Sequence, residues 1–160
     1  MKIKLTVLTP KKQAKKSVET MKGSLLGFNL SKRVIEQKVL ADNKFHWIMD
    51  LKDEKELEKV NKKRVLGEMM IRKFYQILFK NINRCNRLGA KFGKGMGWIK
   101  KQLVKRLRKM TKQTQDNHDD FITNIEKMSE PETTEFIKVN DRAAMDELLA
   151  KDLIVLEVMD

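Results

Sequence analysis

Two histidines and one cysteine are scarce reactive side chains in this 160-residue chain, and their placement limits what chemistry it can do. His46 and His118 stand in different parts of the sequence, so neither serves the other as a partner. Cys85 lies between Arg84 and Arg87, cations that favour a thiolate. No histidine stands close to it in sequence to act as a base, and it reads as a spectator. His118-Asp119-Asp120 sets three metal-ligand types side by side, but a hydrolytic metal centre of that kind needs more histidines than the chain has. The plainer reading is a helix start with aspartates at its positive end. No catalytic residue, metal ligand or cofactor site is expected, and the chain reads as a non-enzyme.

Two further patterns touch phosphate chemistry. Glu36-Gln37-Lys38 on a strand, with Asp50 on the next, has the residue types of a restriction-type nuclease site. Those enzymes place the aspartate strand first, and here the order is reversed. Gly89, Gly93, Lys94 and Gly95 fall in a glycine-rich break resembling a phosphate-binding loop. The Walker pattern needs four residues between its glycines and a Ser or Thr after the lysine; here there are three, and Gly95 follows. A weaker expectation remains: backbone N–H groups beside Lys91 and Lys94, at a helix start, would contact a phosphate. The alternative is a plain turn between two helices.

Charge is the most informative feature. The net charge is +13, but it is divided among three blocks. Residues 1–68 hold 17 Lys/Arg and 9 Asp/Glu, residues 69–115 hold 14 basic residues and no acidic one, and residues 116–160 hold 4 basic and 13 acidic residues. A 47-residue stretch without a carboxylate cannot neutralise itself locally and attracts polyanions. Nucleic acid, an anionic membrane surface and an acidic protein are the candidate partners. The acidic C-terminal block is itself such a partner, met in cis or on a neighbouring copy.

Aromatic residues are interleaved with these cations. Trp98 opens a basic amphipathic segment, and Phe92 sits in the glycine loop. Single-strand binders combine such rings, which stack on any base, with cations that hold phosphates. The expected contacts are Arg84, Arg87, Lys91, Lys94, Lys100, Lys101, Lys105, Arg106, Arg108, Lys109 and Lys112, with Trp98 stacking. RNA or single-stranded DNA is favoured over duplex DNA. The alternatives are a structural subunit docking its basic helices on a larger assembly, as a homo-oligomer or otherwise, and a peripheral binder of anionic membranes. Phe45, Trp47 and Ile48 invite comparison with the RNA-recognition motif. Lys44, His46 and Asp50 depart from its pattern and the first strand has no aromatic, so that family is not assigned and Trp47 is expected in the core or at an edge.

The elements that must position these residues follow from periodicity. Residues 2–8 alternate as a half-buried strand with Ile3, Leu5 and Val7 on one face. Thr9-Pro10 signals a basic helix to about Lys22, closed by Gly23 and Gly27. Residues 33–51 read as a hairpin with Asp42-Asn43 at its tip, which sets Leu40 against Phe45 and Lys38 against Trp47. Asp53 caps a long helix to about residue 87, with Leu57, Val60, Arg64, Val65, Met69, Phe74, Ile77, Leu78 and Ile82 on its apolar side. A second helix spans about 97–113, with Ile99, Leu103, Leu107 and Met110 inward, and a third runs from Asn117 to Met128. The tail reads as a strand at Thr134–Asn140, a helix capped by Asp141, and a strand at Leu153–Met159.

With Thr134–Asn140 as its sixth element, this order predicts an α+β fold, a ferredoxin-like split βαβ sheet (β-α-β-β-α-β). It forms a single domain over 1–160, with a basic and acidic helical excursion at 88–130. An irregular α+β fold, or a helical body with a peripheral hairpin, are the alternatives. A lone cysteine excludes an internal disulfide framework and fits a reducing, cytoplasmic setting. No stretch reaches the ~20 apolar residues of a membrane span.

Overall fold

The computed structural model describes residues 1–112 and 118–159. It is a mixed α+β chain whose elements are β1 (Lys2–Leu8), α1 (Ala14–Ser31), β2 (Val34–Ala41), β3 (Lys44–Asp50), α2 (Glu54–Lys91), α3 (Met96–Thr111), α4 (Asp119–Glu126), α5 (Glu130–Val139), α6 (Arg142–Leu149) and β4 (Ile154–Val158). The chain divides into two compact units. One comprises Met1–Arg72 with Leu148–Asp160, and the other Lys73–Glu147.

The first unit holds the sheet, in the order β2-β3-β1-β4 with every neighbouring pair antiparallel. Period-two alternation sends Ile3, Leu5 and Val7 of β1, and Phe45, Trp47 and Met49 of β3, to one fully buried face. Helix α1 contributes Ala14, Val18, Leu25, Leu26 and Leu30 to this core. Trp47 is buried, its ring 5.0 Å from that of Phe45 and its indole N–H donating to Gln37 Oε1 at 3.2 Å. The core reading of Trp47 holds.

Strand β4 comes far along the chain and is fastened by α2. The Glu68 carboxylate accepts from the Leu153 N–H at 2.6 Å, flanked by Arg64 and Arg72 one helical turn to either side. Arg72 donates to the carbonyls of Leu149 and Lys151, and Arg64 to that of Ile154.

Several boundaries differ from the sequence expectations for physical reasons. Thr134–Asn140 is not a strand but most of α5. Ser129 and Glu132 close a capping box, and Pro131 sits in the first turn, where its missing N–H is harmless. Thr133, Phe136, Ile137 and Asn140 then fall on one buried helical face. The fourth strand is therefore Ile154–Val158, and four helices intervene between α2 and it.

Helix α1 begins at Ala14 rather than at Pro10, because the Asp42 carbonyl at the hairpin tip accepts from both Gln13 N–H and Ala14 N–H. It runs through Gly23 and breaks only at Gly27, where φ is +76°. The hairpin keeps Asp42-Asn43 at its tip, with Ala41 opposite Lys44. A bulge between Val39 and Ala41 then shifts the register by one, so Val39 faces Phe45 and Lys38 faces His46.

Asp53 caps α2 as expected, its Oδ1 accepting from Glu56 N–H at 3.0 Å. The Lys52 N–H, and then Arg33, hold the Glu56 carboxyl below its ordinary pKa. The inward line of α2 passes through Val60, Phe74, Leu78 and Ile82, whereas Val65 and Met69 are 46% and 65% exposed. The expected end of α3 at 113 and the expected helix start at Asn117 lie outside the described residues.

Candidate nucleic-acid interface

The second unit is helical and carries most of the acid-free basic stretch. Its two long segments, the later half of α2 and all of α3, run antiparallel. Asn81 meets Arg106 and Met110, while Gly89 meets Ile99. Gly89 permits this approach, since a Cβ there would lie 2.5 Å from Ile99 Cγ1. Phe74, Tyr75, Leu78, Phe79, Ile82 and Cys85 of α2 are buried, as are Ile99, Leu103, Val104, Leu107 and Thr111 of α3.

Burying those faces leaves the opposite ones to the cations. Helical spacing puts Trp98, Lys101, Lys105, Lys109 and Lys112 on one stripe of α3, away from Leu103 and Leu107. The four lysines are exposed and Trp98 is half-buried. No carboxylate among the described residues pairs with Lys101, Lys105 or Lys109. On α2, Arg84, Arg87 and Lys91 form a second exposed stripe. Lys73 and Lys80 extend it backward, and the sequence reading missed them. Their spacing of seven and four residues to Arg84 is the signal that would have found them. From Lys73 to Lys91 the stripe runs about 27 Å along the helix axis.

Three of the expected contacts also have partners within the unit. Arg106 Nε donates to Oδ1 of the buried Asn81 at 2.9 Å, and Lys100 Nζ donates to the Met128 carbonyl at 2.7 Å. Arg108 is 3.2 Å from a Glu126 oxygen. That ion pair joins the basic and acidic blocks. Other carboxylates of the acidic block occupy helix starts, where they favour the positive end of the dipole: Asp119 and Asp120 on α4, Glu130 and Glu132 on α5.

The glycine loop is a helix stop. The N–H groups of Phe92, Gly93 and Lys94 donate to the carbonyls of Leu88, Ala90 and Gly89, closing α2 with Gly93 at φ +64°. A β-carbon is strained in that left-handed conformation, which explains the glycine. Those N–H groups are consumed. The next helix start already has an anion nearby, since a Cβ on Gly97 would lie 3.3 Å from Glu130 Oε1. Lys94 is exposed beside it, and the Lys91 ammonium lies 5.8 Å from the ring of Phe92, itself 58% exposed.

The reactive residues noted at the outset are placed otherwise. Cys85 is 1% exposed, and burial pushes its thiol above the ordinary pKa despite the nearby Arg106 and Arg84. The His118 ring stacks on Phe74 with centroids 4.0 Å apart. His46 Nε2 lies 3.1 Å from Glu36 Oε2, across the β2–β3 pair. Among the described residues, no group of three His, Cys, Asp or Glu side chains is placed to hold a metal ion, and no helix is long and apolar enough to cross a membrane.

Comparison with protein-family models, with curated proteins and with solved structures finds no match.

Proposed function

We propose that the Lys73–Glu147 unit binds nucleic acid without catalysis, RNA or single-stranded DNA ahead of duplex DNA. The observation that carries this reading is the exposed lysine face of α3 set opposite an apolar one on which Ile99, Leu103 and Leu107 are buried, Met110 at its far end being 49% exposed. Docking of α3 on a protein assembly or a membrane would use Ile99, Leu103 and Leu107, but these are 3%, 0% and 0% exposed. What α3 offers outward is charge, with Trp98 at its first turn. Lys101, Lys105 and Lys109 on α3 with Lys112 at its C-cap, and Arg84, Arg87, Lys91 and Lys94 on α2 and the turn, hold phosphates. Such contacts position a strand without reading its sequence. Lys100, Arg106 and Arg108 support the surface from within. The same proposal includes a ferredoxin-like reading of the sheet. Taken from the β4 edge, its order is β4-β1-β3-β2, with Ile154–Val158 as the closing strand.

The test is fluorescence anisotropy with labelled single-stranded RNA, single-stranded DNA and duplex DNA of equal length. The expected result is tighter binding of single strands, with the preference reduced in Trp98→Ala, since stacking on one aromatic contributes about 1–3 kcal/mol per base. Equal affinity for duplex and single strands, unchanged in Trp98→Ala, removes the stacking part of the proposal. Absence of binding to all three at low salt removes the proposal itself.

A further inference from the structure

Among the described residues, strand β2 forms one edge of the sheet and pairs only with β3. An edge strand presents unpaired backbone groups to any strand that can dock against it, and proteins that avoid this blunt their edges with charge or with bulges; the two bulges of β2 leave Glu36–Val39 as its regular segment. The charges on β2 have a different arrangement. Between the two bulges, Glu36 and Lys38 flank Gln37, and beyond them lie Val34 and Ile35 on one side and Val39 and Leu40 on the other. Ile35, Val39 and Leu40 are 56%, 40% and 40% exposed.

An antiparallel pairing of β2 with another copy of itself, centred on Gln37, sets Glu36 opposite Lys38 of the copy and Lys38 opposite its Glu36. Ile35 and Leu40 are the bulged residues, so the regular pairing is confined to Glu36–Lys38 of each copy. Within that segment Glu36 and Lys38 fall on the same face of the sheet, as the period of two requires. A row of like charges on this edge would repel a second copy; opposite charges placed symmetrically about the centre attract one. The other edge lacks this property, because centring β4 on Leu156 sets Val155 against Glu157.

We propose that β2 is the docking surface for a second copy of this chain, giving a two-fold dimer with one continuous eight-stranded sheet. Pairing β2 with β2 closes the assembly at two copies, with a β4 edge at each end, whereas pairing β2 with β4 would propagate as an open filament. The proposal is independent of what the helical unit binds.

Sedimentation equilibrium on the full chain at physiological ionic strength tests it. The wild-type chain is expected to dimerise reversibly. Lys38→Glu and Glu36→Lys are each expected to raise the dimer Kd about tenfold, by turning two attractive cross-strand pairs into repulsive ones. An equimolar mixture of the two variants is expected to dimerise as tightly as wild type, since each supplies the charge the other lacks. Gln37→Cys, placed on the two-fold axis, is expected to form a disulfide-linked dimer on oxidation, whereas Lys16→Cys is not. A monomer at all concentrations overturns the proposal. So does a dimer indifferent to both charge reversals, or a mixture that associates no better than its components.

Discussion

Replacing Lys101, Lys105 and Lys109 together with Glu is expected to weaken nucleic-acid binding severely while leaving the fold intact. The three lysines share one exposed stripe of α3, and no carboxylate among the described residues pairs with them. Reversal removes three phosphate contacts and adds three repulsive charges to the same face. Because the phosphate backbone dominates affinity for such a surface, the expected loss at low salt is at least about 100-fold. Folding is insulated, since exposed positions free of buried partners change stability by only about 0.5 kcal/mol each. The circular dichroism spectrum is therefore expected to be unchanged. Reversing Arg108 instead would disturb the Glu126 pair, and reversing Arg106 would strip the buried Asn81 of its donor, so both are poor tests. Wild-type affinity in the triple variant, properly folded, would refute the assignment of this face.

Trp47→Ala is expected to have the largest effect on stability, and none specific to binding. Its side chain is fully buried against the Phe45 ring and hydrogen-bonded to Gln37, and truncating a core Trp costs about 3–5 kcal/mol. That is a large part of the 5–15 kcal/mol typical of a domain. The melting temperature is expected to fall by at least about 10 °C. Trp47→Phe keeps most of the ring volume but loses the hydrogen bond to Gln37, and is expected to fall less. The folded Phe variant is expected to bind nucleic acid as wild type does. The opposite pattern, an unchanged melting temperature with lost binding, would move the stacking surface from the helices to the sheet.

How far these side chains could be placed from sequence depended on whether the deciding interaction was local. Strand β1, the hairpin tip and the Asp53 and Asp141 caps were all legible, because alternation, turn residues and N-caps act within a few positions. The Thr134–Asn140 segment misled because Thr134, Phe136, Ile137 and Val139 are good strand formers. The capping box at Ser129 and Glu132 outweighed them, and it too is local and readable. The bulge beyond Val39 was not legible, since one extra residue in an edge strand is set by how the whole strand lies on β3. The candidate site divides the same way. Helical spacing suffices to set Lys101, Lys105 and Lys109 on one face, although the sequence reading left them among eleven undivided contacts. The partners of Lys100, Arg106 and Arg108 lie 28, 25 and 18 residues away in sequence, and only the folded unit brings them together.

The central claim is that α2 and α3 present a phosphate-binding surface, and the salt dependence of affinity tests it most directly. Anisotropy titrations of labelled single-stranded RNA at several salt concentrations give the slope of log K against log salt. With about 5–8 of the exposed cations neutralising phosphates, the slope is expected between about −3.5 and −5.5. In the Lys101, Lys105, Lys109 variant the residual slope is expected to be shallower by about 2. A slope near zero, or one identical in wild type and variant, would contradict the account.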